Sequence, residues 1–501
     1  MAPEIKSVAI IGAGAAGAVT AAAFKAENYY DRVKVFERRE SAGGSWIYDA
    51  DPRPHPPLQP GKLAEDVDPP LKIPDLDLRV PKAVPPNQQE RYSQTPVYNN
   101  LTTNVPHIAM SFSDRTFAYG PFPPHYIPRQ YIEDYFSHHE TDRFLSLNTT
   151  VEDVSKIPPT EKGGQERWKL TLRKYDPLRH IDLWWEESFD AVIIATGHYS
   201  VPYIPYVKGL EEYVQKYPGR VIHSKPYRSP HIYTSKRVLV IGNQASGHDI
   251  SNELVTTARL PVNQSRRSPG LWDGDFPPAG IEWKPVVEEY IASTGRILFS
   301  DGTYLDDIDT VIYCTGYQVS FPFWNAAHNG RELWDPKDKK LIKGYWHTFF
   351  QDFKNLAIIG LPRTLTFRSF EYQAIALSRL WSGRNKVDLP RLEQQEKWER
   401  DRLESKKREG KRFHDIPWDD GETFAWLEGL FEIAGLGTLK GDGMIPPVLG
   451  KEVVWAIEHL RKYPRPERGK DGTMAGDVEG ADEDKDWVLV EKTKKDSLAF
   501  I

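Results

Sequence analysis

The chain is almost without cysteine. Cys314 is the only one among 501 residues. That excludes an intramolecular disulfide, a Cys-x-x-Cys redox pair and a cysteine-built metal site, and no metal is expected. It points to a reducing compartment, so the Asn-x-Ser/Thr sequons at Asn100, Asn148 and Asn263 read as chance. Charge of one sign is lacking as well. Lys and Arg number 65 against 71 Asp and Glu, a formal net charge of −6, which leaves no electrostatic footprint for nucleic acid. No apolar run approaches the roughly 18 residues of a membrane-spanning helix. Met1 leads into the apolar run Val8–Ile11 without a basic stretch followed by a long apolar one. No secretory signal is therefore expected, and the expected location is cytoplasmic.

Apolar residues make up 39% and aromatics 12%, enough for a sizeable core. At roughly 150 residues per domain, the length suggests about three domain-sized units. The opening reads as strand, glycine turn and helix: Val8–Ile11, then Gly12-Ala13-Gly14-Ala15-Ala16-Gly17, then an alanine-rich stretch to about Ala26. Val33–Phe36 is the next strand and ends in Glu37. This is a βαβ unit of the length that binds a dinucleotide. Glycines serve the tight turn, the approach of the pyrophosphate and helix–strand packing, while the helix N-terminus offers amide donors. Glu37 lies twenty residues past Gly17. A carboxylate there accepts from ribose hydroxyls and repels a 2′-phosphate, so the site is expected to hold FAD or NAD rather than NADP. Gly43-Gly44-Ser45-Trp46 follows, either a second close approach of backbone to the ligand or a plain turn.

Eleven prolines fall within residues 51–90, with no apolar period. This excursion is a disordered linker or an ordered, largely extended surface insertion; the tyrosines and leucines around it favour the second. Later segments read as alternating strands and helices. Helices are expected over Gln130–His138, Pro390–Glu409 and Glu422–Ala434. Strands are expected at Trp168–Arg173, Phe189–Ala195, Arg237–Ile241, Thr310–Cys314 and Asn355–Ile359. Such alternation implies parallel sheets with ligands at the strand C-termini. From 463 to 501 the composition is polar and partly acidic, as in a disordered tail.

A second turn reads Gly242-Asn243-Gln244-Ala245-Ser246-Gly247. Gln244 replaces the middle glycine, but a strand precedes the turn, a helix follows, and Val262 opens another strand. That strand ends in Ser265-Arg266-Arg267 instead of a carboxylate. Two guanidiniums and a hydroxyl suit a 2′-phosphate through charge-assisted bonds, so NADPH is expected here; an exposed basic turn is the plainer alternative. The two turns begin 230 residues apart, with Ala195-Thr196-Gly197 between them. The expected fold is α/β with two Rossmann-like domains, the NADPH domain inserted in the FAD domain. The boundaries are 1–200 for the first part of the FAD domain, 201–318 for the NADPH domain and 319–462 for the rest of the FAD domain.

Tyr217-Pro218-Gly219-Arg220-Val221-Ile222-His223-Ser224-Lys225-Pro226-Tyr227 resembles the flavin-containing monooxygenase signature Phe-x-Gly-x-x-x-His-x-x-x-Tyr/Phe, with Tyr217 in place of Phe. Thr103-Asn104-Val105-Pro106-His107 partly matches a Thr-Asn-x-x-Lys-like stretch of that family. Cys314-Thr315-Gly316-Tyr317 resembles its second Thr-Gly strand end, and Glu371-Tyr372-Gln373-Ala374 its late Glu-x-Gln-Ala segment. The resemblance covers roughly residues 6–435. The membrane anchor of many animal members is not matched.

The resemblance implies that NADPH reduces FAD. Reduced flavin then takes up O2 as a C4a-hydroperoxide, and a soft nucleophile, an amine nitrogen or a thioether or thiol sulfur of a small molecule, is oxygenated. It implies FAD contacts from Gly12, Ala13, Gly14, Ala15, Ala16, Gly17, Glu37, Gly44, Ser45, Trp46, Thr103, Asn104 and Gln373. It implies NADP contacts from Gln244, Ala245, Ser246, Gly247, Ser265, Arg266, Arg267, Thr315 and Gly316. Gly219, His223 and Tyr227 form the hinge signature, where His223 fixes the hinge or, alternatively, moves a proton. Asn104 is the candidate for the oxygenation centre, because an amide both donates and accepts; a structural turn Asn is the alternative. Cys314 reads as an inert core residue. A Baeyer–Villiger monooxygenase would carry Trp-Pro or Trp-Asp where Tyr227-Arg228 stands. The usual dithiol disulfide reductase is excluded by the single cysteine, and an FAD/NADPH-binding sensor is the non-enzymatic rival. Homo-oligomerisation is left open.

Overall fold

The computed structural model describes residues 4–52, 58–87, 94–159, 166–270, 272–437, 441–463 and 488–489. The expected disordered tail therefore lies almost wholly outside the described residues.

A seven-stranded sheet forms around the first strand. Its order is Gly344–Tyr345, Phe349–Phe350, Leu356–Ile358, Ala191–Ile194, Ser7–Ile11, Arg32–Phe36 and Leu145–Ser146. Ser7–Ile11 runs parallel to both neighbours, with Ile10 opposite Val35 and Ile193. Alternate side chains of these strands enter two different cores. Val8, Ile10, Val35 and Ile193 face helices, while Ala9, Ile11, Val192 and Ile194 face Trp168, Leu170 and Leu172 of a second sheet. Helix Ala15–Ala26 carries mostly alanine on its buried positions. Small side chains let it lie close to the strands and to helix Phe367–Ser382.

The second parallel sheet has the order Val221–His223, Thr310–Tyr313, Val238–Ile241, Val262–Ser265 and Ile281–Lys284. In the chain it lies between the first sheet's strands Ala191–Ile194 and Leu356–Ile358. The chain crosses between the sheets twice, and the two crossings pair with each other: Val201–Pro202 is antiparallel to Tyr317–Gln318. This ribbon ties exit to return at one place.

Two antiparallel sheets depart from the expectation of parallel strands alone. One contains Lys82–Val84, Ile181–Phe189, Arg167–Asp176 and Thr149–Ile157; the other contains Val287–Ile291, Arg296–Phe299 and Tyr304–Leu305. Their strands mix charged and apolar residues, as suits a sheet packed on one face. The first encloses a buried ion triad in which Arg173 Nε lies 2.7 Å from Glu152 and Nη1 3.5 Å from Asp182.

Residues 58–87 of the proline-rich excursion form a surface insertion. It contains one helical turn, Ala64–Val67, and the edge strand Lys82–Val84. It lies across the crossing ribbon. Gly61 N donates to Ile204 O at 2.9 Å, Gln318 Nε2 to Lys62 O at 3.1 Å, and Ser320 Oγ to Asp68 Oδ2 at 2.6 Å.

Candidate functional site

The first glycine turn connects Ser7–Ile11 to helix Ala15–Ala26. Gly12 has φ +110°, and a Cβ there would stand 2.6 Å from Ala195 O. Strand and backbone crossing leave room for hydrogen only. At Gly17 a Cβ would meet Gly12 O at 1.9 Å, so helix and turn are in contact. Gly14 caps the helix without a side-chain bond, and no acidic residue occupies the first turn. Gly12 N is taken by Phe36 O and Ala13 N by Glu37, so the amides left to an anion, as a pyrophosphate requires, are those that open the helix from Gly14 on. Gly43 N donates to Ala13 O at 3.0 Å, bringing the Gly44–Trp46 turn over the first one. A Cβ on Gly44 would lie 2.9 Å from Gly14 Cα. Gly43-Gly44 is thus the second wall of a narrow cradle. Glu37 is buried at the end of Arg32–Phe36. Its carboxylate accepts from Ala13 N at 2.8 Å and Arg39 N at 2.9 Å. It fixes the turn and retains lone pairs for a ribose.

The second turn repeats this backbone. Gly242 has φ +112°, a Cβ there would be 2.7 Å from Cys314 O, and a Cβ on Gly247 would be 2.2 Å from Gly242 O. Gln244 caps helix Ala245–Val255, again without a side-chain bond or first-turn acid. Gln264 Nε2 donates to Gly242 O and Gly247 O. The three residues expected to read a 2′-phosphate separate here. Ser265 Oγ donates to Pro285 O at 2.7 Å. Arg266 Nη1 donates to Asp273 Oδ2 at 2.8 Å, and its guanidinium carbon lies 3.3 Å from the centre of the Trp283 ring. Arg267 is exposed.

The strand ends meet at the hinge. His223 Nδ1 accepts from Lys225 N at 3.0 Å, and its other ring nitrogen, Nε2, donates to Gly316 O at 3.0 Å. Both nitrogens are committed to backbone, and burial lowers its pKa to about 3. The neutral ring is a strut between segments. Thr315 donates its hydroxyl to Tyr203 O, and Tyr203 N donates to Gly316 O at 2.9 Å. Tyr227 is fully buried and donates to Glu253 Oε2 at 2.6 Å, holding helix Ala245–Val255. Gly219 turns the chain at φ +80°. Arg228 donates to the carbonyls of Asp49, Thr95, Lys225 and Tyr227. Lys225 Nζ donates to Ser200 O at 2.7 Å, and burial, then Arg38 and Arg39, lowers its pKa to about 7. Burial pushes the Cys314 thiol up to about 12, as for an inert core residue.

Asn104 is half-buried, and its amide makes no hydrogen bond among the described residues. Its neighbour Thr103 is fixed by N to Pro123 O at 2.9 Å and Oγ1 to Val105 O at 3.1 Å. Trp46 packs edge-on to Phe367. Gln373 is fully buried. It accepts from Gly360 N at 3.2 Å and donates to Thr348 Oγ1 at 2.8 Å, so it stands behind the Gly360 turn, where a Cβ would come within 3.2 Å of Ala16 Cβ. His198 was not foreseen. Both its ring nitrogens are buried without a partner among the described residues. Burial, then Arg363 and Arg412, takes its pKa to about 3. Its sequence signal was its place directly after Ala195-Thr196-Gly197. Among the described residues no cluster that could hold a metal is found, and no helix is long and apolar enough to cross a membrane.

Two uncapped dinucleotide turns on two sheets, joined by one hinge, define a flavoprotein oxidoreductase with a nicotinamide-nucleotide domain. The flavin-binding monooxygenase-like family model matches residues 87–272 and 279–418, and an NAD(P)-binding Rossmann-like model matches 10–58. A flavin-containing monooxygenase of Arabidopsis thaliana, FMO GS-OX5, is 31% identical over 396 residues, covering 77% of this chain and 75% of its own. Flavin-containing monooxygenase iboF of Amanita muscaria is 29% identical, covering 77% and 80%. The solved S-allyl-L-cysteine S-oxygenase of Allium sativum aligns with a TM-score of 0.65 at 25% identity, over 86% of this chain and 88% of that one. The chain belongs to the flavin-binding monooxygenase-like family. It is an oxidoreductase of the flavin-containing monooxygenase class, with a flavin and a nicotinamide dinucleotide as cofactors.

Proposed function

We propose that this enzyme uses FAD, NADPH and O2 to oxygenate a soft nucleophile of a small molecule, a thioether sulfur or an amine nitrogen. FAD belongs to the cradle of Gly12–Gly17, Gly44–Trp46 and Glu37. NADPH belongs to the turn Gly242–Gly247 and the basic strand end beyond it. The bound flavin supplies the redox chemistry and delivers the oxygen atom. The observation that carries this reading is His223. With both ring nitrogens taken by Lys225 N and Gly316 O, the signature histidine is neither base nor nucleophile. The protein's task is then to bind, orient and exclude water, and the substrate must bring its own nucleophile. Tyr227-Arg228 disfavours the Baeyer–Villiger alternative, since Arg228 is built into the hinge through four carbonyls. Likeness to the Allium sativum S-oxygenase favours sulfur over nitrogen.

Asn104 is the residue assigned to the oxygenation centre, because its amide is free to donate. Asn104→Asp is nearly isosteric and turns a donor into an acceptor-only carboxylate. The variant is expected to keep its fold and FAD but to release H2O2 in place of oxygenated product. A stable variant with wild-type H2O2 per NADPH removes Asn104 from the centre. A panel of thioethers, amines and ketones tests the whole reading. Sulfoxide or N-oxide is expected, and an ester from a ketone with no sulfoxide would make the enzyme a Baeyer–Villiger catalyst.

A further inference from the structure

The segment that carries Asn104 belongs to both halves of the molecule. Tyr98 and Leu101 pack with Tyr227, Val238, Ile250 and Cys314 in a core of the nicotinamide half. Val105, Ala109 and Met110 enter the flavin core together with helix Ala15–Ala26. Asn104 therefore stands where the chain passes from one core to the other, three residues beyond Leu101 and one before Val105.

One carboxylate makes the link on the nicotinamide side. Asp249 lies on helix Ala245–Val255, two residues past Gly247. Tyr98 donates its hydroxyl to Asp249 Oδ2, and Tyr463 donates to Oδ1. Lys462 Nζ lies 3.5 Å from Asp249 Oδ2 and donates to Thr102 O at 3.3 Å. Tyr98 is 4% exposed and the Asp249 side chain 11%. Bonds to a charged acceptor that water reaches so little are the strong ones. Beyond Tyr98 the backbone is held closely. Leu101 N donates to Tyr98 O at 3.0 Å, His125 N to Leu101 O at 2.9 Å and Thr103 N to Pro123 O at 2.9 Å. A displacement of Asp249 is thus carried to Asn104 over a short, hydrogen-bonded path.

Helix Ala245–Val255 opens at the turn that offers its amides to the coenzyme. A dinucleotide seated there favours one placement of the helix, and a packed, hydrogen-bonded contact passes that preference on. Resting on the reading of Asn104 given above, we propose that Asp249 and Tyr98 are positioning residues for oxygenation. They tie Asn104 to the coenzyme-binding helix, so that seating the coenzyme also sets the Asn104 amide. Lys462 and Tyr463 brace the same carboxylate from the C-terminal side.

The test uses the flavin-loaded full chain and NADP+, which permits no turnover. Hydrogen exchange is followed at the amides of residues 101–105 and at those of the turn Gly242–Gly247. In the wild type NADP+ is expected to slow both, the first by at least about fivefold. Tyr98→Phe and Asp249→Ala should keep the slowing at the turn and lose it at 101–105. During turnover both should reduce flavin within about twofold of the wild-type rate yet release roughly threefold or more H2O2 per NADPH, and the double variant should add nothing to Asp249→Ala. Tyr98→Phe removes a single oxygen atom and carries the test if Asp249→Ala is unstable. Tyr213→Phe removes another buried hydroxyl of the same half, bonded to Gly295 O at 3.2 Å. It should lower the melting temperature and leave H2O2 per NADPH unchanged. A wild type in which NADP+ slows the turn alone overturns the proposal. So does undiminished slowing at 101–105 in Tyr98→Phe, or an equal fall in flavin reduction and coupling. Failure of the Asn104 reading is distinct: Asn104→Asp then keeps wild-type coupling, and the proposal falls with it even where the exchange results stand.

Discussion

The two glycine turns share a backbone and differ in what stands opposite it. Gly12 and Gly242 have nearly the same φ, +110° and +112°, and each would drive a Cβ into the carbonyl of a neighbouring strand end. Gly14 and Gln244 cap the following helices at φ −79°, ψ −167° and φ −83°, ψ −173°. These are ordinary extended conformations open to any residue. The middle glycine is therefore not demanded by the turn itself. On the flavin side a Cβ on Gly14 would make an ordinary 3.5 Å contact with Gly44 Cα, whereas a Cβ on Gly44 would come within 2.9 Å of Gly14 Cα, so Gly44 is the residue that the approach of the two loops requires to be glycine. Gln244 is exposed, and the loop that approaches the second turn meets its neighbour, since a Cβ on Gly270 would lie 2.8 Å from Asn243 O. The two turns thus differ in where the facing loop approaches, at Gly14 on the flavin side and at Asn243 on the nicotinamide side.

Gly14→Val is expected to give the largest effect: a folded, colourless protein, because side-chain atoms fill the gap between the two glycine loops. Its counterpart, Gln244→Gly, should keep full flavin content and change NADPH affinity by less than roughly threefold. Absorbance at purification and NADPH titration check both. A yellow Gly14→Val protein, or a Gln244→Gly protein that binds NADPH far more tightly, would break the comparison.

Glu37→Gln is the next step down. The carboxylate holds Ala13 N and Arg39 N, and hydrogen bonds to a charged acceptor contribute about 1.5–3 kcal/mol each. One oxygen survives in the amide, so the dissociation constant for FAD should rise about tenfold. NADPH affinity of the loaded enzyme should stay level, since the second turn is fixed by Gln264 and carries no acid. Parallel loss in both would mean that the two sites are not independent.

Much of this was legible in the sequence. Strand, turn and helix at 7–26, the second turn at 242–247 and helix Glu422–Ala434 follow from apolar period and glycine spacing, which are local signals. The antiparallel strands Thr149–Ile157 and Ile181–Phe189 were not read. Their charged residues face partners such as Arg173 with Glu152 and Asp182, which only the folded chain brings together. Ser265-Arg266-Arg267 was legible as a basic strand end. Which guanidinium is free depended on Asp273 and Trp283, and that is tertiary.

The smallest effect compares the arginine pairs that end the two second strands. Arg266 is held by Asp273 under Trp283 and Arg267 is exposed, whereas Arg38 and Arg39 are half-buried, bonded to Ser200 and Gln94, and act on the hinge lysine. Lys225 is 2% exposed. Burial is the main cause of its lowered pKa, Arg38 and Arg39 add to it, and Asp68 and Asp49 oppose them; the result is about 7. An unfolded lysine titrates near 10.4. Between these limits the unfolded chain binds more protons than the folded one, so stability rises with pH. Lys225's contribution is full above the unfolded value and is lost as pH falls through about 7. Lys225→Met removes the titration and keeps the unbranched apolar stem up to the position of Cε. The wild type should therefore gain melting temperature relative to Lys225→Met between pH 7 and pH 9.5, with an uptake of up to about one proton on unfolding across that window. Parallel curves would show that Lys225 stays charged in the fold, with Asp49 and Asp68 outweighing the two arginines. The half-buried pair would then resemble the other, and the contrast between the two strand ends would rest on Glu37 alone.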